Sequence, residues 1–192
     1  MNTARLEAFS DGVLAIVVTI MVLELKAPEH LSADSLAQQL PNLLSYLLSF
    51  VMVAIVWVNH HHVFQLVQRA DARVLWLNNH LLLWVSLVPF ATALVGRNSA
   101  APLAAAVYGL VMLGSAGAFA LLRRAVARNA DHGLGVLHRR AHLRNALGIA
   151  LYGASVPLAW WHPWAAYAIF VAVAAMYFAP ERRIEAALQA GH

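Results

Sequence analysis

The sequence predicts an all-α membrane protein with six transmembrane helices and both termini cytoplasmic, organised as a single domain over residues 1–192. Three observations carry that prediction. The chain is 61% hydrophobic and 11% charged, against roughly 25% charged in an average soluble domain. Six apolar runs approach or reach the roughly 17 to 25 residues that cross a hydrocarbon core. The basic residues also fall on alternate sides of those runs.

The first run covers about residues 7–25. From Gly12 to Leu25 its only hydrogen-bonding side chain before Glu24 is Thr19. Its leading segment sets one arginine, Arg5, against Glu7 and Asp11, and no small-residue cleavage site follows, so it is expected to remain in the mature protein. The second run, 41–64, ends in Trp57, Asn59, His60, His61, His62 and Phe64, and the third, 74–95, carries Trp76, Asn78, Asn79 and His80. The runs at 102–122, 143–160 and 164–179 are rich in alanine and glycine, for example Gly114, Gly117 and Ala118. Small residues let membrane helices approach closely.

Six spans put both ends on one side. Arg5, Arg69, Arg73, Arg123, Arg124, Arg128, Arg139, Arg140, Arg144, Arg182 and Arg183 then share that side, opposite only Lys26 and Arg97. The positive-inside rule makes the arginine-rich side cytoplasmic. It also removes a nucleic-acid partner, since no basic face survives as a separate domain. Lys26 to Leu40 is expected as an outer loop, Gly96 to Ala101 and Trp161 to Pro163 as tight outer turns, and Trp160, Trp161 and Trp164 as interfacial anchors. The inner segment Arg123 to Arg144, with Asp131, Gly133 and Gly135, is expected as a solvated hairpin. There is no cysteine, so disulfides and thiolate metal sites are excluded.

With depth assigned, the polar residues form a belt. Ser10 and Asp11 open the first span, the second descends to Trp57, Asn59 and His60, and the third rises from the same side with Asn78. Buried polar groups persist in a bilayer by satisfying one another, so an interhelical network is expected. A charge at the bilayer centre costs roughly 2.5 to 3.5 kcal/mol on insertion scales, less toward the end where Asp11 sits. Capping of the first turn by Ser10 or Asp11 is a compatible role. Three consecutive histidines point about 100° apart on a helix and cannot face one metal. His138 and His142 have chelating i, i+4 spacing but stand among arginines that repel a cation. No metal site is expected.

On a helical wheel Arg5, Gly12, Ile16, Thr19 and Leu23 fall within an arc of roughly 60°, with Asp11 about 100° from Gly12. Taken alone, such a stripe is core or lipid-facing surface. The string Arg5, Phe9, Ser10, Asp11, the pattern Trp57, His60, Phe64 and the set Trp76, Asn78, Pro89, Phe90 together resemble the transmembrane protein 175 family of potassium channels. The resemblance covers nearly the whole chain and fits the prokaryotic members with a single six-helix repeat.

That resemblance implies a homotetramer in the cell (plasma or inner) membrane, with potassium as the permeant ion and no cofactor. It also implies that helix 1 of each subunit lines the pore, with no re-entrant pore loop. Offset from the Phe-Ser-Asp motif gives Ile16 as the narrowest apolar ring, with Thr19 and Leu23 following outward. Arg5, Phe9, Ser10, Asp11, Trp57, Asn59, His60 and Phe64 become the structural network that holds the inner helix ends. Glu24 and Glu29 are expected to raise the local cation concentration outside. The main alternative is a proton- or cation-coupled secondary transporter that uses the buried Asp and His residues. An enzyme is not expected, because adjacent Ser10 and Asp11 face different ways and no nucleophile elbow accompanies them.

Overall fold

The computed structural model describes residues 3–65, 70–128 and 135–178, with the backbone alone at 135–142 and 178. The described residues form eight helices and their short connections. These are α1 (Thr3–Leu23), α2 (Ala33–Gln38), α3 (Leu40–Phe64), α4 (Ala72–Ser86), α5 (Val88–Arg97), α6 (Pro102–Arg128), α7 (Gly135–Trp161) and α8 (Pro163–Phe178). Four apolar stretches among them are long enough to cross a membrane: Thr3–Leu23, Leu40–Phe64, Ala72–Arg97 and Pro102–Arg128. The chain is a membrane protein.

Helix ends follow local chemistry. Asp71 Oδ1 accepts from the Val74 amide at 2.8 Å and starts α4, which satisfies one donor that the first turn leaves open. Pro41 and Pro89 sit in the first turns of α3 and α5, where a missing N–H costs nothing. Pro89 also explains why the expected third span is two helices joined at Leu87. Leu87 itself keeps right-handed helical angles, so the interruption is one residue and the axis carries on. The connection between α1 and α3, expected as an outer loop, holds α2, which sequence reading missed. Ser32 and Ser35 each accept the other's backbone N–H at 3.0 Å, a reciprocal cap built from two serines instead of the usual Ser and Glu.

The expected hairpin from Arg123 to Arg144 is corrected by the longer helices: α6 runs on to Arg128 and α7 begins at Gly135. Arginine is a good helix former, so the end of an apolar run marks where a helix leaves hydrocarbon, not where it stops. Arg69, Asp131, Gly133, Arg182 and Arg183 lie outside the described residues, as do the side chains of His138, Arg139, Arg140 and His142.

Packing is organised around α6, which lies against α4, α5, α7 and α8, while α1 lies against α3, α4 and α5. Phe170 of α8 is fully buried. Its ring centroid lies 4.9 Å from Tyr108, 6.2 Å from Tyr152 and 6.1 Å from Tyr167. The close approach of α6 and α7 depends on Gly109, where a Cβ would fall 2.6 Å from Ser155 Oγ and 3.4 Å from Phe170 Cζ. Gly109→Val therefore overpacks this contact and costs about 1 to 3 kcal/mol. At Gly153 a Cβ meets nothing within 4 Å, so Gly153→Ala leaves stability unchanged or slightly raised. Thermal unfolding of the two variants in detergent checks the contrast.

Candidate functional site

α1 has two faces with different fates. Thr3, Leu6, Ser10, Leu14, Val17 and Met21 are buried, and by their spacing they form one stripe along the helix. The stripe of Arg5, Gly12, Ile16, Thr19 and Leu23 lies about 150° away around the axis and is exposed along its whole length. Ile16 is 58% exposed and Leu23 75%. The Thr19 hydroxyl donates to the Ile16 carbonyl at 2.8 Å, a common back-bond of threonine in helices. Its hydrogen is committed to the backbone, so the oxygen lone pairs remain as acceptors on the exposed face.

The buried face is tied to its neighbours by a directed hydrogen-bond chain. Ser10 Oγ donates to the Leu6 carbonyl at 2.9 Å and accepts from Asn78 Nδ2 at 3.0 Å. Asn78 Oδ1 lies 2.8 Å from His60 Nε2. Because that amide oxygen only accepts, Nε2 of His60 carries the proton. The chain joins α3, α4 and α1, and its three side chains are 0 to 1% exposed. The His60 ring also rests on Phe64 at 4.5 Å between centroids.

The other expected network residues divide. Trp57 Nε1 donates to Asp11 Oδ1 at 2.9 Å, on the exposed side of α1 and α3. This is a second tether between the same two helices. His61 Nδ1 lies 3.5 Å from Glu7 Oε1 and its Nε2 is 2.8 Å from Gln65. Asn59 bonds its own helix, Nδ2 to the Ile55 carbonyl at 2.7 Å, so it links nothing. Arg5 and Phe9 are exposed, and Arg5 makes no hydrogen bond or ion pair among the described residues. The single belt expected from depth is thus a buried chain plus a surface pair. His60, His61 and His62 fan apart, and among the described residues no group of three His, Cys, Asp or Glu side chains is close enough to hold a metal.

Two features were not read from the sequence. Thr92 of α5 is hydrogen-bonded to Ser49 of α3 at 2.7 Å, and Ser49 lies 3.0 Å from the Tyr108 hydroxyl of α6. All three are buried. The available signal was hydroxyls isolated in apolar runs, which in a bilayer must find partners. Glu24 is the other: it pairs with Arg97 at 2.6 Å. Its charge is therefore compensated rather than added to an outer negative field, which corrects the role expected for it.

Asn78 is the hub of the buried chain. Asn78→Ala removes both its bonds and leaves Ser10 and His60 without a partner for the freed groups, at about 1 to 2 kcal/mol. Asn59→Ala breaks one bond within its own helix and costs less than about 0.5 kcal/mol. Unfolding midpoints in detergent distinguish the two.

Residues 5–89, which include the whole of this arrangement except Tyr108, Thr92 and Arg97, match the model of the family described as endosomal/lysosomal potassium channel TMEM175. A potassium channel of Chryseobacterium sp. strain P1-3 is 40% identical over 191 residues, covering 98% of this chain and 99% of its own. The endosomal/lysosomal proton channel TMEM175 of Homo sapiens is 27% identical over 165 residues, 78% of this chain but 31% of that protein. The crystal structure of a lysosomal potassium-selective channel TMEM175 homolog from Chamaesiphon minutus superimposes with a TM-score of 0.79. It is 34% identical, covering 91% of this chain and 95% of that one. Sequence, helix order and fold thus agree over nearly the full length, and the chain belongs to the TMEM175 family, whose members are ion channels and not enzymes.

Proposed function

We propose that the protein is a homotetrameric, potassium-preferring cation channel of the cell membrane, with six spans per subunit and both termini cytoplasmic. The observation that carries the reading is the exposed stripe of α1. Ile16, Thr19 and Leu23 project from a helix whose opposite face is fully committed to its own subunit. Four such stripes facing one axis form a continuous wall. The bacterial relatives named as potassium channels support the choice of ion.

In this arrangement a ring of four Ile16 side chains is the constriction and closes by dewetting, without a moving plug. The Thr19 ring supplies acceptor oxygens to a partly hydrated cation. An apolar ring does not replace a hydration shell as carbonyls do, so preference for potassium over sodium is modest. Arg5 and Asp11 sit at the inner mouth, where Trp57 holds Asp11 against α3. The buried chain from His60 to Ser10 sets the tilt of α1 and therefore the diameter of the ring.

The coupled-transporter alternative is less favoured. Proton relays use carboxylates and imidazoles in sequence, whereas the buried His60 is bonded to an amide, Asp11 is bonded to an indole, and the Glu7 and His61 pair lies at the surface apart from the buried chain.

Purified protein in a planar bilayer, with potassium on one side and sodium on the other, is expected to give a reversal potential displaced toward potassium equilibrium. Zero current at all voltages overturns the reading. Ile16→Asn hydrates the constriction, so it raises leak and lowers potassium preference while the oligomer elutes unchanged. Unaltered conductance and selectivity would remove Ile16 from the pore.

A further inference from the structure

A groove of about 440 Å³ opens between α4, α6 and α7, away from α1. It starts at Arg124 and follows α6 past Leu121 and Gly117 to Gly114, roughly 15 Å of helix axis. His80 and Trp84 of α4 form one wall and Ile149 of α7 closes the other side. The two glycines do different work. A Cβ at Gly114 would overlap the Trp84 indole, so glycine lets that ring lie against α6. At Gly117 a Cβ would meet nothing within 4 Å, so the groove stays open there.

The groove is mostly apolar, with His80 on one wall, and is basic at one end. Arg124 is exposed and makes no hydrogen bond or ion pair among the described residues, and the same holds for Arg128 one turn further. Among the described residues no carboxylate lines the groove. A guanidinium at one end of an open, mostly apolar groove matches an amphiphile with an anionic head and an apolar tail, and basic pockets between membrane helices recognise anionic lipid headgroups. A second copy of the chain would have to bring a carboxylate to Arg124. The carboxylates described at that end of the helices are otherwise engaged: Glu7 with His61, Asp11 with Trp57 and Asp71 with the α4 terminus.

We propose that this groove binds an anionic phospholipid, with its phosphate at Arg124 and one acyl chain laid along Gly117 toward Trp84. The site stands apart from the conduction pathway and does not depend on which ion passes. Its occupant would wedge between α4, which holds Asn78, and α6, and so would stiffen the support of α1 from outside.

Native mass spectrometry of the detergent-solubilised protein, titrated separately with phosphatidylglycerol and phosphatidylcholine, tests this. The unaltered protein is expected to retain phosphatidylglycerol preferentially. Arg124→Gln weakens that binding about fivefold, the worth of one basic side chain beside an anionic lipid, and leaves phosphatidylcholine binding unchanged. Arg124→Lys recovers most of the loss. Gly117→Leu fills the open stretch and removes the tightest-bound lipid of either kind. Phosphatidylglycerol binding indifferent to both Arg124→Gln and Gly117→Leu overturns the proposal. So does a change of oligomeric state in Gly117→Leu, because the groove would then be a contact between subunits.

Discussion

A helix in hydrocarbon gains no hydrophobic driving force from apolar neighbours, because lipid tails are as apolar as leucine, and is held by close packing and interhelical hydrogen bonds. The directional part of the hold on α1 is the hydrogen-bond chain running from His60 through Asn78 and Ser10 to the Leu6 carbonyl. Every link has one direction. The serine proton is committed to the backbone, the amide nitrogen to the serine, and the imidazole proton to the amide oxygen. No member can turn without leaving a polar atom unsatisfied where water is absent, at a cost near 1 to 3 kcal/mol. The chain therefore holds three helices in one register, and the position of everything on the opposite face of α1 follows from it.

The other half of the molecule uses a different device for the same end. There Met21 of α1 is buried beside Thr92, Thr92 reaches Ser49, and Ser49 reaches Tyr108, so α5, α3 and α6 are linked in sequence. Tyr108 belongs also to the aromatic group around Phe170. A displacement of α1 at its C-terminal end would be felt at Met21 and passed into this cluster, while Arg97 grips Glu24 just beyond it. The end of α1 near Ser10 is held by an amide and an imidazole, the end near Met21 by hydroxyls and one ion pair.

Much of this architecture is legible in the residues. Apolar run length located the helices, because in a bilayer every backbone polar group must be satisfied within the segment. The belt of Ser10, His60 and Asn78 was visible from depth once the arginines had set an orientation. Depth alone did not separate Asn59 from Asn78. One faces its own backbone and the other two neighbours, a difference of rotation that an apolar sequence with little periodic contrast does not encode. Helix ends past the hydrocarbon were also hidden, since Arg123, Arg124 and Arg128 read as loop by hydropathy while favouring helix by propensity. The cap of α2 was missed because Ser35 stands where a glutamate would have announced it.

The two faces of α1 also explain why one short helix is asked to carry so much. A helix packed only within its own subunit could bury residues all around, and one facing only lipid would need no polar tether. α1 does neither: one stripe is locked by Ser10, Leu14, Val17 and Met21, while Ile16 and Leu23 stand out unsupported. Because the locked stripe lies about 150° from the exposed one, a small rotation about the helix axis would move Ile16 sideways and strain the Ser10 to Asn78 bond at the same time. The chain that fixes the fold and the side chains that project from it are therefore coupled through a single rigid body. A tilt of α1 that keeps these bonds intact would pivot near Ser10, so that Leu23 at the far end would travel further than Ile16. The weaker surface pair at Glu24 and Arg97, worth about 0 to 1 kcal/mol, is then the contact that yields first.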